Sequence, residues 1–182
     1  MIDRAYLDSI GDNWMVRTDN DGEGYGGFKW KPAGQWTTCP KWSDETKANC
    51  ESGGLFGQGP GGYGYAQSGT RFLFCETSGP SISVDDKIKV REAVIVYVGS
   101  EAYEAMVYKC GGVWPGSLDT RGGDTSGLTA LTSIGGWLDT GGGDTSGLTA
   151  LTSIGGWLYT GGNAEGRKTL LATIAANKAK AK

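Results

Sequence analysis

The chain has 182 residues, among them 33 Gly, 7 Trp, 8 Tyr and 4 Phe, and a formal charge of -3; this length excludes anything larger than one domain with an appendage or two small domains. So many aromatics exclude a disordered glycine-rich chain, and the lack of any histidine excludes Ser-His-Asp and Cys-His catalysis and His-ligated zinc. All 20 acidic residues but only 12 of the 17 basic ones precede Arg167, and so acidic a body argues against a phosphate-tracking surface, so direct nucleic-acid binding is not expected.

Residues 3–10, DRAYLDSI, predict a short helix with Tyr6, Leu7 and Ile10 on one side. The opening residues carry acids and no apolar run, so they do not read as a secretory signal, and no segment approaches the roughly 18 apolar residues that span a bilayer. The expectation is a soluble protein of a cytoplasm, with no membrane partner. From Trp14 onward short apolar runs (WMVRT, FKWKPAGQWTTCPKW) alternate with Gly, Asn, Asp and Pro, a rhythm of strands and turns. Residues 43–69 predict a long ordered loop or several tight turns. RFLFCET (71–77) and IKVREAVIVYV (88–98) read as strands, with turn chemistry in the SGPSISVDD between them, and EAYEAMVY (101–108) as a short helix. Cys39, Cys50, Cys75 and Cys110 match no zinc-site spacing and are expected as thiols; no metal is expected.

Near Gly112 the text changes to a repeat. Residues 118–137, LDTRGGDTSGLTALTSIGGW, and 138–157, LDTGGGDTSGLTALTSIGGW, differ only at Arg121 versus Gly141, and a degenerate third unit covers 158–177. CGGVWPG (110–116) echoes the IGGW of the units, so the stack is expected to begin before the first full copy. Near-identical neighbours bury their apolar residues against each other. Alternation puts Ile134, Gly136, Leu138 and Thr140 inward and Gly135, Trp137 and Asp139 outward, with Trp157 and Tyr159 beside them on the next turn. Two readings follow for Trp137 and Trp157: an exposed aromatic ladder that binds a partner, or indoles covered by a loop or by the first domain, which a stack of so few turns favours. Asp124 and Asp144 read as turn residues bonding their own backbone. Residues 166–179 predict a helix capping the stack with Leu170, Leu171 and Ile174 inward.

The fold class is therefore mainly β (α+β): a small antiparallel or mixed β domain, 1–112, then a 20-residue-repeat stack, 113–182, ending in a basic tail. LTALTSIGGWLDTGG resembles compact leucine-rich repeats over about 60 residues, although Thr, Gly and Asp stand where an asparagine ladder would, which favours a β-solenoid with glycine turns. GLFGQGPGGYGYAQ (54–67) followed by RFLFCET resembles the Gly-rich stretch of ADP-ribosyltransferases. That resemblance implies NAD as cofactor, Arg17 on its phosphate, Ser68 ordering the site and Glu101 or Glu104 polarising the ribose hydroxyl; the competing reading is a structural glycine loop. A third reading places a small nucleotide in the aromatic loop around Tyr63 and Tyr65. Finally, VRTDNDGEGYGGFKWKPAG, CPKW, CESGGLFGQG, FLFCETSG and KIKVREAVIVYVG, in that order over 14–100, resemble an uncharacterised family of small bacteriophage proteins. This implies a phage accessory or anti-defence factor in the bacterial host cytoplasm. The leading expectation is a non-enzymatic binding protein without cofactor, contacting a host protein through Trp137, Trp157 and Tyr159, with self-association through the stack edge as a further expectation.

Overall fold

In the computed structural model, residues 1–24, 27–46, 53–66, 69–79, 81–121 and 123–181 are described. The chain is α+β with mostly strands. Helix α1 (Arg4–Ser9) begins where the Asp3 carboxylate accepts the Tyr6 amide, and it buries Leu7. β1 (Trp14–Asp19) then enters an antiparallel sheet of order β1-β5-β8-β2, with β2 Trp36–Thr38, β5 Arg71–Thr77 and β8 Glu92–Val98.

Both faces of this sheet are buried, which is why RFLFCET lacks polar alternation. Trp14, Val16, Phe72 and Phe74 face helix α2 (Ser100–Lys109), which contributes Ala102, Tyr103, Ala105, Met106 and Val107; the Phe72 and Tyr103 rings stack at 4.0 Å. Met15, Leu73, Cys75 and Ile95 face the other way. A second antiparallel sheet, β3 (Leu55–Gly57), β7 (Lys87–Val90) and β6 (Ile82–Val84) in the order β3-β7-β6, covers them with Leu55, Ile88 and Val90.

Two expectations change here. Residues 88–98 are not one strand: Arg91 separates β7 from β8, which belong to different sheets. The segment expected as turn chemistry contains β6, and the turn itself is made by Asp85 at φ 52°, a left-handed conformation that Asp tolerates.

The repeat region forms two parallel ladders. One has the order β14-β12-β10-β4, with β4 Tyr65–Ala66, β10 Ser117–Asp119, β12 Leu138–Asp139 and β14 Leu158–Tyr159; the other has the order β13-β11-β9, with β9 Val113–Trp114, β11 Ser133–Ile134 and β13 Ser153–Ile154. Leu118, Leu138 and Leu158 are register partners, as are Trp114, Ile134 and Ile154. Each step is 20 residues, so identical side chains fall on top of one another. The 20-residue ladder starts at Val113, inside the CGGVWPG echo, rather than at the first full copy. Leu118, Leu128, Leu131, Ile134 and Leu138 are all fully buried, and Leu148 and Leu151 repeat the pattern.

Helix α3 (Ala164–Lys180) follows the last coil. Leu170 is buried and Ile174 packs beside it, but Leu171, expected inward, is 47 % exposed. A helix that meets a stack along one line has room for the spacing of Leu170 and Ile174, and Leu171 lies 100° off it. One apolar cluster runs without a break from Leu7 and Trp14 through α2 to Trp114, Leu138, Leu151 and Leu170. The chain leaves α2 near Gly112 and enters β9, and the residues on both sides of that point share this cluster.

Candidate functional site

The end of the parallel ladder places the aromatic residues singled out in the sequence. Trp137 is half-buried, Trp157 is 85 % exposed and Tyr159 is 60 % exposed. β14 is the last strand of its sheet. In the preceding coils the N–H groups of Leu118 and Thr120 donate to the carbonyls of Trp137 and Asp139, and those of Leu138 and Thr140 donate to Trp157 and Tyr159. In this register the N–H groups of Leu158 and Thr160 turn to the open edge, where a further coil would lie. Beside that edge runs an open groove of about 480 Å³, lined among others by Leu158, Tyr159, Arg167, Lys168 and Leu171. Its lining holds two cations and no carboxylate.

Two buried carboxylates stand beside each other in the parallel ladder. Asp139, expected to point outward, is 8 % exposed, and its register partner Asp119 is fully buried. Strands in a ladder lie about 4.8 Å apart, and like charges directly opposite each other are destabilising. Arg121 resolves this. Its Nη2 donates to Asp119 Oδ2 at 2.5 Å, its Nε to both carboxylate oxygens at 2.9 and 3.0 Å, and the same Nε lies 3.5 Å from Asp139 Oδ2. The Asp119 and Asp139 carboxylates also accept the amides of Arg121 and Gly141, closing their own turns. Asp124 and Asp144 accept the amides of Ser126 and Ser146, as turn chemistry predicts.

The residues of the ADP-ribosyltransferase resemblance are not brought together. Arg17 lies with its guanidinium 4.2 Å over the Trp30 ring, and Trp30 belongs to the cluster on the side of Met15 and Leu73. Glu101 and Glu104 ride on α2, which packs against the opposite face of the sheet. Glu101 accepts a hydrogen bond from the Met1 ammonium. Ser68 lies outside the described residues. The glycine run has a steric explanation: a Cβ on Gly59 would come within 2.6 Å of the Trp14 carbonyl oxygen, because the loop crosses directly over β1.

Tyr63, named for the nucleotide reading, is half-buried. Its ring meets Trp114 edge-on at 5.3 Å and lies 6.4 Å from Trp14, joining the sheet to the stack, and burial pushes its phenol above the ordinary tyrosine range. The Tyr65 backbone pairs with Ser117, while its side chain lies outside the described residues.

Sequence reading missed Lys89, which is fully buried, donates to the Glu45 carbonyl and lies 5.3 Å from the Trp42 ring. The KIKV pattern alone makes it an ordinary exposed strand lysine. It also missed Asn177, whose Nδ2 reaches the carbonyls of Thr149 and Leu151 at 2.7 and 3.1 Å and ties α3 to the last turn. No helix among the described residues is long and apolar enough to cross a membrane. Comparison of the chain with protein-family models, with curated proteins and with solved structures finds no match in any of the three.

Proposed function

We propose that this chain is a non-enzymatic binding protein whose contact surface is the open end of a short β-solenoid. The observation that carries the proposal is the exposure of Trp157 and Tyr159, 85 % and 60 %, beside an unpaired strand edge. Large aromatics are the commonest energetic anchors of protein interfaces, and the equivalent positions one coil earlier, Trp137 and Asp139, are half-buried and buried. The exposed face thus consists of the positions a further layer would cover.

The partner in this reading is a host protein, and the chain is a phage accessory or anti-defence factor acting in the bacterial cytoplasm. Support for that wider context comes from the ordered motifs between Trp14 and Gly99. NAD chemistry gains no support, since Arg17 and the two glutamates project from opposite sides of one sheet.

The test compares capture of host proteins from bacterial lysate by the wild-type chain and by a Trp157→Ala/Tyr159→Ala variant. Both side chains are exposed, so the variant keeps its fold, as near-ultraviolet circular dichroism of the buried aromatics checks. A protein retained by the wild type and lost from the variant is the expected result. Equal capture by both overturns the assignment of this face.

A further inference from the structure

We infer that the open edge of β14 takes an extended acidic segment of a partner protein as an added parallel strand, with an apolar residue over Leu158 followed by a carboxylate over Tyr159. The inference rests on the reading of the stack end as the contact surface, and it names the chemistry that end recognises.

The ladder itself supplies the template. The step from β10 to β12 lays a Leu-Asp pair on a Leu-Asp pair: Leu138 on Leu118 and Asp139 on Asp119. At the third step Leu158 continues the leucine column, whereas Tyr159 ends the aspartate column. The next layer, if contributed by another chain, meets the same apolar column at Leu158 and the backbone donors of Leu158 and Thr160. Backbone pairing supplies affinity in such strand addition, and alternate side chains supply specificity.

Charge selects an acid at the second position. In the stack, the buried carboxylates Asp119 and Asp139 of two successive units are held by one cation, Arg121. At the open end the groove presents Arg167 and Lys168, both exposed, with no acidic side chain in its lining. A second copy of this chain joined edge to edge by a two-fold axis would set Arg167 and Lys168 against their own copies, a like-charge contact. A nucleic acid would satisfy the cations but not the alternating donors and acceptors of a strand edge.

The probe is a fluorescein-labelled peptide with the sequence of residues 135–142, GGWLDTGG, which reproduces one layer; binding to the full chain is read by fluorescence anisotropy. Saturable binding is expected, weakening about tenfold when the peptide aspartate is replaced by lysine, when Arg167→Glu/Lys168→Glu is introduced in the protein, or when salt is raised. N-methylation of the peptide's second glycine, whose counterparts Gly136 and Gly156 donate to the carbonyls of Gly116 and Gly136 in the preceding layer, abolishes binding. No binding up to about 1 mM peptide overturns the inference, and so does equal affinity for the lysine peptide. A labelled oligothymidylate bound as tightly as the peptide would also sink it by identifying a nucleic-acid site. Concentration-dependent dimerisation in sedimentation, strengthened by the charge reversal, identifies a second copy as occupant and overturns it as well. If lysate capture depends on Trp157 and Tyr159 while being insensitive to Arg167→Glu/Lys168→Glu and to competing peptide, the contact surface stands and strand addition falls.

Discussion

The single difference between the two full repeats, Arg121 against Gly141, is a packing pair. A Cβ on Gly141 would meet the Arg121 Cγ at 2.1 Å, and Gly141 sits at φ 54°, where a side chain is disfavoured. The arginine of one coil therefore lies across the glycine of the next, and its guanidinium bonds the buried carboxylates below it. Removing the cation leaves Asp119 and Asp139 facing each other, so Arg121→Ala is expected to lose about 3 kcal/mol in denaturant unfolding, and adding Asp139→Asn should restore a large part of it. A loss below about 0.5 kcal/mol, the scatter of ordinary surface substitutions, would mean that water screens the pair. Thr140 makes the opposite case. Its hydroxyl is buried with no partner among the described residues, so Thr140→Val is expected to leave stability unchanged or raise it by about 1 kcal/mol; a loss of that size would reveal a hidden hydrogen bond. Cys75 is fully buried and its thiol is pushed up to about 12 by that burial. Because the thiolate is the reactive form, iodoacetamide at pH 8 should leave Cys75 unmodified in the folded protein, as peptide mapping would show, and modify it once the chain is unfolded.

Among the elements, α3 shows how one side of a stack end is covered while the β14 edge stays open. The third unit drops the LTALTSIGGW of its predecessors and supplies a helix whose Leu170 and Ile174 meet the end of the apolar cluster. Asn177 adds hydrogen bonds to carbonyls that a further coil would otherwise bond. Leu170→Ala is expected to cost about 2–4 kcal/mol, with the cap detaching first, so that hydrogen exchange in 164–180 rises before exchange elsewhere. Uniform exchange acceleration would instead mean that cap and stack unfold as one unit. α1, α2 and β5 were legible in the sequence because a helical apolar spacing in the first two and an aromatic run in the third signal themselves locally. The leucine and isoleucine columns were legible because a 20-residue period fixes the register of every layer at once. The division of 88–98 into two sheets was not, since Arg91 differs from its neighbours only in tertiary context. The burial of Asp119 and Asp139 was not either: a strand aspartate reads as exposed, and only Arg121 lying over the next step offsets its burial. At the open end, Trp157 and Tyr159 are legible from the repeat, whereas only the course of α3 places Arg167 and Lys168 beside β14.

At the scale of the whole molecule, a single apolar cluster spans sheet, α2 and stack, yet the middle coil contacts chiefly its two neighbours, which makes the stack locally modular. This allows a severe test. Deleting residues 138–157 removes one complete step and joins Trp137 directly to Leu158. Leu158 then pairs with Leu118, since Leu118 and Leu138 are register equivalents. The Arg121 stem meets Gly161, which shares the φ of Gly141, 56° against 54°, so the contact that defines the first two coils is recreated. The tyrosine that ends the aspartate column falls over Asp119, leaving Arg121 with one carboxylate instead of two and no like-charge neighbour to separate. α3 finds the surface it expects as well, because Thr129 and Leu131 take the places of Thr149 and Leu151 beneath Asn177. The shortened chain should therefore remain monomeric and unfold cooperatively, with a melting temperature lowered for the lost interface by on the order of 2–4 °C per kcal/mol, as for chains of about this size. Its Trp157 and Tyr159 should keep their exposure and the open edge its groove. A shortened chain that aggregates or melts without a cooperative transition would show that the middle coil is structurally unique and that the two ladders are not a stack of interchangeable layers.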